Sequence, residues 1–454
     1  MNIILVGCGK TGQKIVEKLC CEKDHNITLV DIRKDIVNEI VNKFDVMGVI
    51  GDCINAEVLG EAGVKDADIL IAATGSDEIN FTTCLLAKKM GNCQTISRVR
   101  RPEYTKTIDL FKDDIGLALV INSDVAAARE IARIIKFPTA IQIDTFAKGR
   151  VEIFKFKVNE NSILSGIKLM EMGQKLNCDV LVCGVERGEE IYIPDGNFRF
   201  QQGDLVSIVA SNNNTYEFFK KIGVKSSRIK NSIIIGGGVT GYYLAEMLLQ
   251  AGIDVKIIEQ NIEKCEELSI KLPKATIING DGTDNELLLE EGIESADSVI
   301  ALTNMDEENI ILSLFARSKT EGKIVTKINH VNYDELIRKL DLDTIIYPKT
   351  LTAEDVLRFV RAKNNSITSN NIETMHYILG GKAEALEFHI KENSAVVGKP
   401  LYKLNIKKNN LIACINRNGN IIIPKGQDSI SVGDNVIVVT TFSGLKDIND
   451  ILEG

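Results

Sequence analysis

Long apolar runs are missing from this 454-residue chain. No stretch approaches the ~18 uninterrupted apolar residues that a membrane-spanning helix needs, so no membrane span is expected. The first residues read as a strand, with no basic segment or cleavage site, so no signal peptide is expected. Blocks of Lys and Arg are also missing, and the net charge is −9. The richest basic stretch, Lys220-Lys221 to Lys230, reads as a solvated linker, and nucleic-acid binding is disfavoured. Histidine is scarce: His25, His330, His376 and His389 are the four. None lies at metal-ligand spacing with Cys or carboxylates, so no zinc site is expected. The ten cysteines form no C-x-x-C pair. Eight fall in the first half, which is not how a duplicated disulfide framework would fall. They read as reduced, mostly buried thiols of a cytosolic protein. What remains, 26% charged and 44% hydrophobic residues, is ordinary globular composition at a length that suits several domains.

The informative stretch is the first. Asn2-Ile3-Ile4-Leu5-Val6 is a short buried-strand pattern that runs into Gly7-Cys8-Gly9-Lys10-Thr11-Gly12. An amphipathic helical pattern follows at Ile15, Val16 and Leu19. In a G-x-G-x-x-G loop the first glycine permits the tight turn and the second lets the backbone approach a pyrophosphate. The third lets helix and strand pack closely. The helix N-terminus then offers N–H groups and a positive dipole end to phosphate. A second strand, Ile27-Thr28-Leu29-Val30, ends in Asp31, where this fold places an acid on a ribose diol. A structural glycine turn and a surface Asp capping the next helix are the bland alternatives. The order strand, loop, helix, strand, acid favours nucleotide. Cys8, inside the loop, suits a small packing residue better than a redox role.

The pattern occurs twice. Asn231-Ser232-Ile233-Ile234-Ile235-Gly236-Gly237-Gly238-Val239-Thr240-Gly241 repeats strand and loop 229 residues later, and Glu259 repeats the acid one residue early. At the loop's offset, Gly51-Asp52 answers Gly280-Asp281, Thr74 answers Thr303, and Asp77-Glu78 answers Asp306-Glu307. Asn80 answers Asn309, and Arg98 answers Lys327. A tandem duplication follows.

Strand and helix patterns alternate through residues 1–125, which implies a parallel sheet covered on both faces, with ligand beyond the strands' carboxyl ends. Asp52 and Cys53 follow the third strand, near an adenine or its ribose. Ala73 and Thr74 follow the fourth, with Ser76 or Asp77 as a helix cap. Arg98 ends the fifth, placed to neutralise phosphate; a surface ion pair is the alternative. The chain divides into a Rossmann-like doubly wound domain (1–125), a crossover helix (126–139) and a small β-rich α+β domain (140–210). A linker (211–230) precedes a second Rossmann-like domain (231–348). A second crossover helix with a polar linker, Asn364 to Asn371 (349–370 in all), precedes a second small domain (371–454). Each crossover helix has an apolar face that suits either a partner subunit or its own domain. The small domains also match: Gly166 answers Gly398, Ile193-Pro194 answers Ile423-Pro424, and Gly203-Asp204 answers Gly433-Asp434.

These four modules in order resemble the tandem regulator-of-K⁺-conductance family over nearly the whole chain. The most specific stretches are Gly7 to Gly12, Gly51-Asp52, Arg98-Val99-Arg100-Arg101-Pro102-Glu103-Tyr104 and Gly203-Asp204-Leu205-Val206. The resemblance implies a non-enzymatic cytosolic regulator, peripheral at the inner face of the membrane. It implies a ring, dimeric or tetrameric, docked on an integral-membrane potassium-translocating subunit of the TrkH/TrkG kind and gated by NAD(H), with ATP or ADP as the other candidates. Carried over by position, Gly7, Cys8, Gly9, Lys10, Thr11 and Gly12 hold phosphates and Asp31 the ribose. Asp52, Cys53, Ala73, Thr74 and Arg98 complete the site. The second set is Gly236, Gly237, Gly238, Val239, Thr240, Gly241, Glu259, Asp281, Gly282, Thr303 and Lys327. Lys327 lacks the bidentate fork of an arginine, which predicts weaker binding or another nucleotide there. The acids at 31 and 259 would repel the 2′-phosphate of NADP. The rival readings are an NAD-dependent dehydrogenase, for which no acid or base constellation is visible, and an assembly scaffold with vestigial sites.

Overall fold

The computed structural model describes residues 1–21, 25–110, 112–136, 142–146, 151–160, 162–176, 178, 180–188, 190–210, 212–222, 229–329, 337, 340, 342–367, 372–379, 382–391, 394–442 and 445–453. His330 and the linker positions 211, 223–228 and 368–371 lie outside them. The chain forms two compact units: Met1–Ala132 with Ile229–Val360, and Arg133–Arg228 with Arg361–Gly454.

The first unit opens with β1 (Asn2–Val6), α1 (Lys10–Leu19), β2 (Asn26–Asp31), α2 (Lys34–Lys43), β3 (Met47–Ile50) and α3 (Ala56–Glu61). It continues with β4 (Ile69–Ala72), α4 (Asp77–Gly91), β5 (Gln94–Arg98), α5 (Pro102–Thr107), β6 (Leu117–Ile121) and α6 (Ser123–Lys136). The strands make a six-stranded sheet in the order β3-β2-β1-β4-β5-β6, and every neighbouring pair is parallel. The order reverses between β1 and β4, so loops on the two sides of β1 part and leave a crevice at its carboxyl end. β1 is apolar and buried from Ile3 to Val6, as a strand covered on both faces must be. Ile15, Val16 and Leu19 bury the inner face of α1.

The second small-domain elements come later in the chain. First come β7 (Gln142–Phe146), β8 (Val151–Lys157), α7 (Leu169–Leu176), β9 (Val180–Arg187), β10 (Glu190–Tyr192), β11 (Leu205–Ala210) and α8 (Asn212–Lys221). The second Rossmann-like domain then holds β12 (Asn231–Ile235), α9 (Val239–Gln250), β13 (Asp254–Glu259), α10 (Ile262–Lys271), β14 (Thr276–Asn279) and α11 (Asn285–Glu290). It ends with β15 (Ser298–Ala301), α12 (Asp306–Lys319), β16 (Lys323–Lys327), β17 (Thr344–Ile346) and α13 (Pro348–Ile367). Its sheet order, β14-β13-β12-β15-β16-β17, repeats the first.

The second crossover helix departs from the expectation that it packs on its own domain. Ala353, Val356, Leu357 and Val360 of α13 join the core of the first repeat, with Ile3, Leu5, Ile15 and Leu29. Lys18 pairs with Glu354 at 3.3 Å. Thr352 donates to Ser123 at 3.1 Å, so the starts of the two helices meet. Each fully buried Val or Leu in such a core contributes ~1.5–3 kcal/mol, which is enough to fix where α13 docks.

In the second unit the strands β18 (Ile372–Ile378), β19 (Ala383–His389), β20 (Asn410–Arg417), β21 (Asn420–Ile422) and β22 (Asn435–Thr440) complete the chain. The two five-stranded sheets run β10-β9-β11-β8-β7 and β18-β19-β22-β20-β21. They share a core in which Val151, Ile153, Cys183 and Val209 meet Ile378, Ala385, Cys414 and Val439. The matched Gly-Asp pairs are structural. Gly203 and Gly433 take φ of +88° and +84°. Asp204 is buried, binds Arg187 Nε and Nη2 at 2.8 Å each, and accepts Gln201 N at 2.8 Å. Asp434 repeats this with Arg417 and Ser431 N. Part of the expected linker is not linker: α8 buries Phe218 and Phe219 in the first small domain. The polar run from Asn364 likewise continues α13 to Ile367. Polarity at one face of a helix does not end it.

Candidate functional site

The ends of β1, β2, β3 and β4 enclose a cavity of about 650 Å³, within the range that small ligands fill. Its floor is the loop after β1. Gly7 adopts φ +88°, and a Cβ there would lie 2.7 Å from Thr74 N. At Gly12 a Cβ would come within 2.1 Å of the Gly7 carbonyl oxygen. Gly9 has an ordinary φ of −64°, and no described residue lies within 4 Å of a Cβ built on it. The fold therefore requires Gly7 and Gly12, whereas the space above Gly9 is open to a ligand.

Asp31 is buried at the back of this loop. Its Oδ2 accepts Cys8 N at 2.7 Å, and its Oδ1 accepts Arg33 N at 2.9 Å and Arg33 Nε at 3.3 Å. Burial alone would raise its pKa. The hydrogen bonds from Arg33 N, Cys8 N and the Arg33 guanidinium together outweigh burial and hold the carboxyl below its ordinary value. Asp31 thus shapes the loop besides facing the cavity. Glu259 does the same in the second repeat, accepting Gly237 N at 2.9 Å and Asn261 N at 3.0 Å.

Of the nominated residues, Gly7, Gly9, Lys10, Thr11, Asp31, Asp52, Cys53, Ala73, Thr74 and Arg98 border the first cavity. Cys8 and Gly12 do not. The Cys8 thiol is fully buried, and burial, then the Asp31 charge, pushes its pKa up to about 12, so it packs and stays protonated. Arg98 donates from Nη1 to Thr74 O at 3.3 Å. Its Nε is buried with no hydrogen-bond partner among the described residues. Burial, then the charge of Arg100, lowers its pKa against the opposing Asp124 and Asp77.

Other duplicated residues prove to be scaffolding. Asn80 accepts Thr74 N at 2.9 Å and donates to Arg98 O at 3.0 Å. Asn309 accepts Thr303 N at 2.8 Å and donates to Lys327 O at 3.0 Å. Asp77 receives the backbone N–H groups of Arg100 and Arg101, each at 3.0 Å. Asp306 receives Asn329 N at 2.8 Å. Ser76 is the cap of α4, accepting Ile79 N at 3.3 Å.

The second cavity is smaller, about 280 Å³. Gly236, Gly238, Glu259, Asp281, Gly282 and Thr303 border it; Gly237, Val239, Thr240, Gly241 and Lys327 do not. Lys327 is buried and turns Nζ onto Leu302 O at 3.0 Å. Thr240, in the first turn of α9, donates instead to Asp124 Oδ1 of α6 at 2.6 Å.

One wall residue was not nominated. Lys349, in the first turn of α13, borders the first cavity although it belongs to the second repeat. Its Nζ donates to Asn329 O at 2.9 Å. The available signal was positional: Lys349 stands three residues after the last residue of β17, as Asp124 does after β6.

The TrkA-N domain family matches residues 3–123 and 232–348, and the TrkA-C domain family matches 153–223 and 385–453. A Methanosarcina mazei protein named Trk system potassium uptake protein TrkA homolog 1 is 31% identical over 456 residues, covering 99% of both chains. Among solved structures, the GsuK RCK domain aligns with a TM-score of 0.63 at 19% identity, over 96% of this chain and 92% of that one. The GsuK channel bound to NAD aligns at 0.63 and 19%, over 97% of this chain and 76% of that chain.

Proposed function

The chain belongs to the TrkA family of Trk-system potassium uptake proteins, and from that premise we propose that it is a regulatory subunit that binds NAD(H) or an adenine nucleotide and gates a potassium-translocating membrane protein. The observation that carries this is the first cavity. An open glycine floor, a buried acid and an arginine with an unpartnered buried Nε converge on one space. The floor and helix N-terminus suit a pyrophosphate, and Asp31 suits a free ribose hydroxyl and repels a 2′-phosphate. A structural neighbour is a channel bound to NAD, which supports the same ligand class.

The partner is an integral-membrane subunit of the TrkH/TrkG kind, and the working state is a ring of chains at the cytosolic face of the membrane. Among the described residues no helix is long and apolar enough to cross a membrane, so the conduction path is assigned to the partner. Gating then follows from linkage: nucleotide that contacts two arrangements of the ring with unequal free energy shifts the population between them. No chemical step is assigned to the cavity. Among the described residues no histidine borders it; of its two acids, Asp31 is committed to Cys8 and Arg33 and Asp52 accepts Ile54 N.

Calorimetric titration with NADH, NAD, ADP and ATP, with nicotinamide absorbance followed in parallel, tests this. Saturable binding without turnover is expected. Turnover would contradict the regulatory reading, and absence of binding would reduce the protein to an assembly scaffold.

A further inference from the structure

Asp124 and Lys349 hold equivalent positions, one in the first turn of each crossover helix, yet carry opposite charges. Each is delivered to the glycine loop of the other repeat. Lys349 reaches the first cavity. Asp124 reaches Thr240 at the N-terminus of α9, while Thr11, the counterpart of Thr240, faces the first cavity. We propose that this exchange makes the two sites unequal: Lys349 is a phosphate ligand of the first site, and the Asp124 carboxylate is a built-in anion at the phosphate end of the second.

The proposal rests on the nucleotide reading above and extends it. At the first loop Lys349 lies near two other cations: burial, then Lys10, lowers its pKa, Asp306 opposes this, and Arg98 adds to the lowering. A polyphosphate placed among them relieves that repulsion and gains charge-assisted hydrogen bonds. A ligand held there touches both repeats at once, through the loop of one and the crossover helix of the other. At the second loop a carboxylate already holds the first-turn hydroxyl, where the helix dipole favours a negative charge. An incoming phosphate meets like charge there. Val239 replaces Lys10, and Lys327 is turned onto Leu302. Both loops retain the glycines, so the difference comes from the exchanged helix starts and not from loss of the motif.

The test uses the full chain and compares adenosine with ADP. Lys349→Gln should weaken ADP at the first site by about tenfold or more, with adenosine affinity unchanged. Lys349→Arg should restore ADP. Equal loss of both ligands would mark Lys349 as merely structural, and unchanged ADP affinity would also overturn its role. Asp124→Asn preserves shape and can still accept from Thr240. Combined with Gly9→Asp, which blocks the first floor, it should create ADP binding at the second site that Gly9→Asp alone lacks. No gain would overturn the role of Asp124. Failure of the wild type to bind any nucleotide is a different result: it removes the underlying reading and this proposal with it.

Discussion

The cavity above Gly9 has about 650 Å³ and that above Gly238 about 280 Å³. Among the described residues, the first is bordered by four cationic side chains, Lys10, Arg33, Arg98 and Lys349, against two acids, Asp31 and Asp52. Among the same residues, the second is bordered by one cation, Lys264, against Glu259, Asp281 and Glu308. Their frames hardly differ. Asn80 and Asn309 tie the fourth strand's loop to the fifth in the same way, and Asp31 and Glu259 hold the same loop N–H. Duplication preserved what builds a crevice, and the walls diverged in what the crevice will accept. A fingerprint of glycines and an acid reports the frame; the charge of the walls decides the ligand.

The acids are where the two sites should differ most. Asp31→Ala should weaken nucleotide at the first site by roughly 1.5–3 kcal/mol, the value of a lost charge-assisted hydrogen bond. Glu259→Ala should leave total nucleotide binding nearly unchanged. Isothermal titration of both variants checks this, and equal losses would make the sites equivalent. The frames should respond alike. Asn80→Ala and Asn309→Ala each strand a backbone N–H and C=O, costing ~1–3 kcal/mol of stability, read as a shift in urea midpoint at constant slope. Arg98→Lys removes a planar fork from the cavity and should cost about tenfold in ADP affinity. Lys327→Arg should gain nothing, because that side chain lies outside the second cavity.

The smallest effect is in pH. The folded-state pKa of Asp31 lies below the ordinary 3.8. Its contribution to stability is therefore present above that value and is lost as pH falls through the lower folded value. Acid titration should show this loss in the wild type and a shallower one in Asp31→Asn.

The loops, acids and strand ends of both repeats were legible because a parallel sheet repeats its ligand geometry at fixed sequence offsets. The switch between β1 and β4 follows from strand order alone, and Gly7, Gly12 and Asn80 have a single local job. Residues whose surroundings come from elsewhere in the chain were less visible. The docking of α13 on the first repeat depends on which of several apolar surfaces wins, and its amphipathic pattern does not name the winner. Lys349 was hidden for the same reason, since its site is built by residues more than two hundred and fifty positions away. The turn of Lys327 onto Leu302 is a packing outcome that residue type does not dictate, whereas the packing role of Cys8 was legible from its residue type. α8 was masked by a polar first turn, Asn212 to Thr215, before Phe218 and Phe219.

Counting nucleotides per chain separates one working site from two equal ones. Titration of the wild type, Gly9→Asp and Gly238→Asp with ADP is suited to this. Both substituted glycines have ordinary backbone and open space, so the added carboxylates enter the sites without straining the fold. One tightly bound nucleotide per chain, lost in Gly9→Asp and kept in Gly238→Asp, is the predicted result. Two equal sites lost one at a time, or a single site lost only in Gly238→Asp, would contradict it.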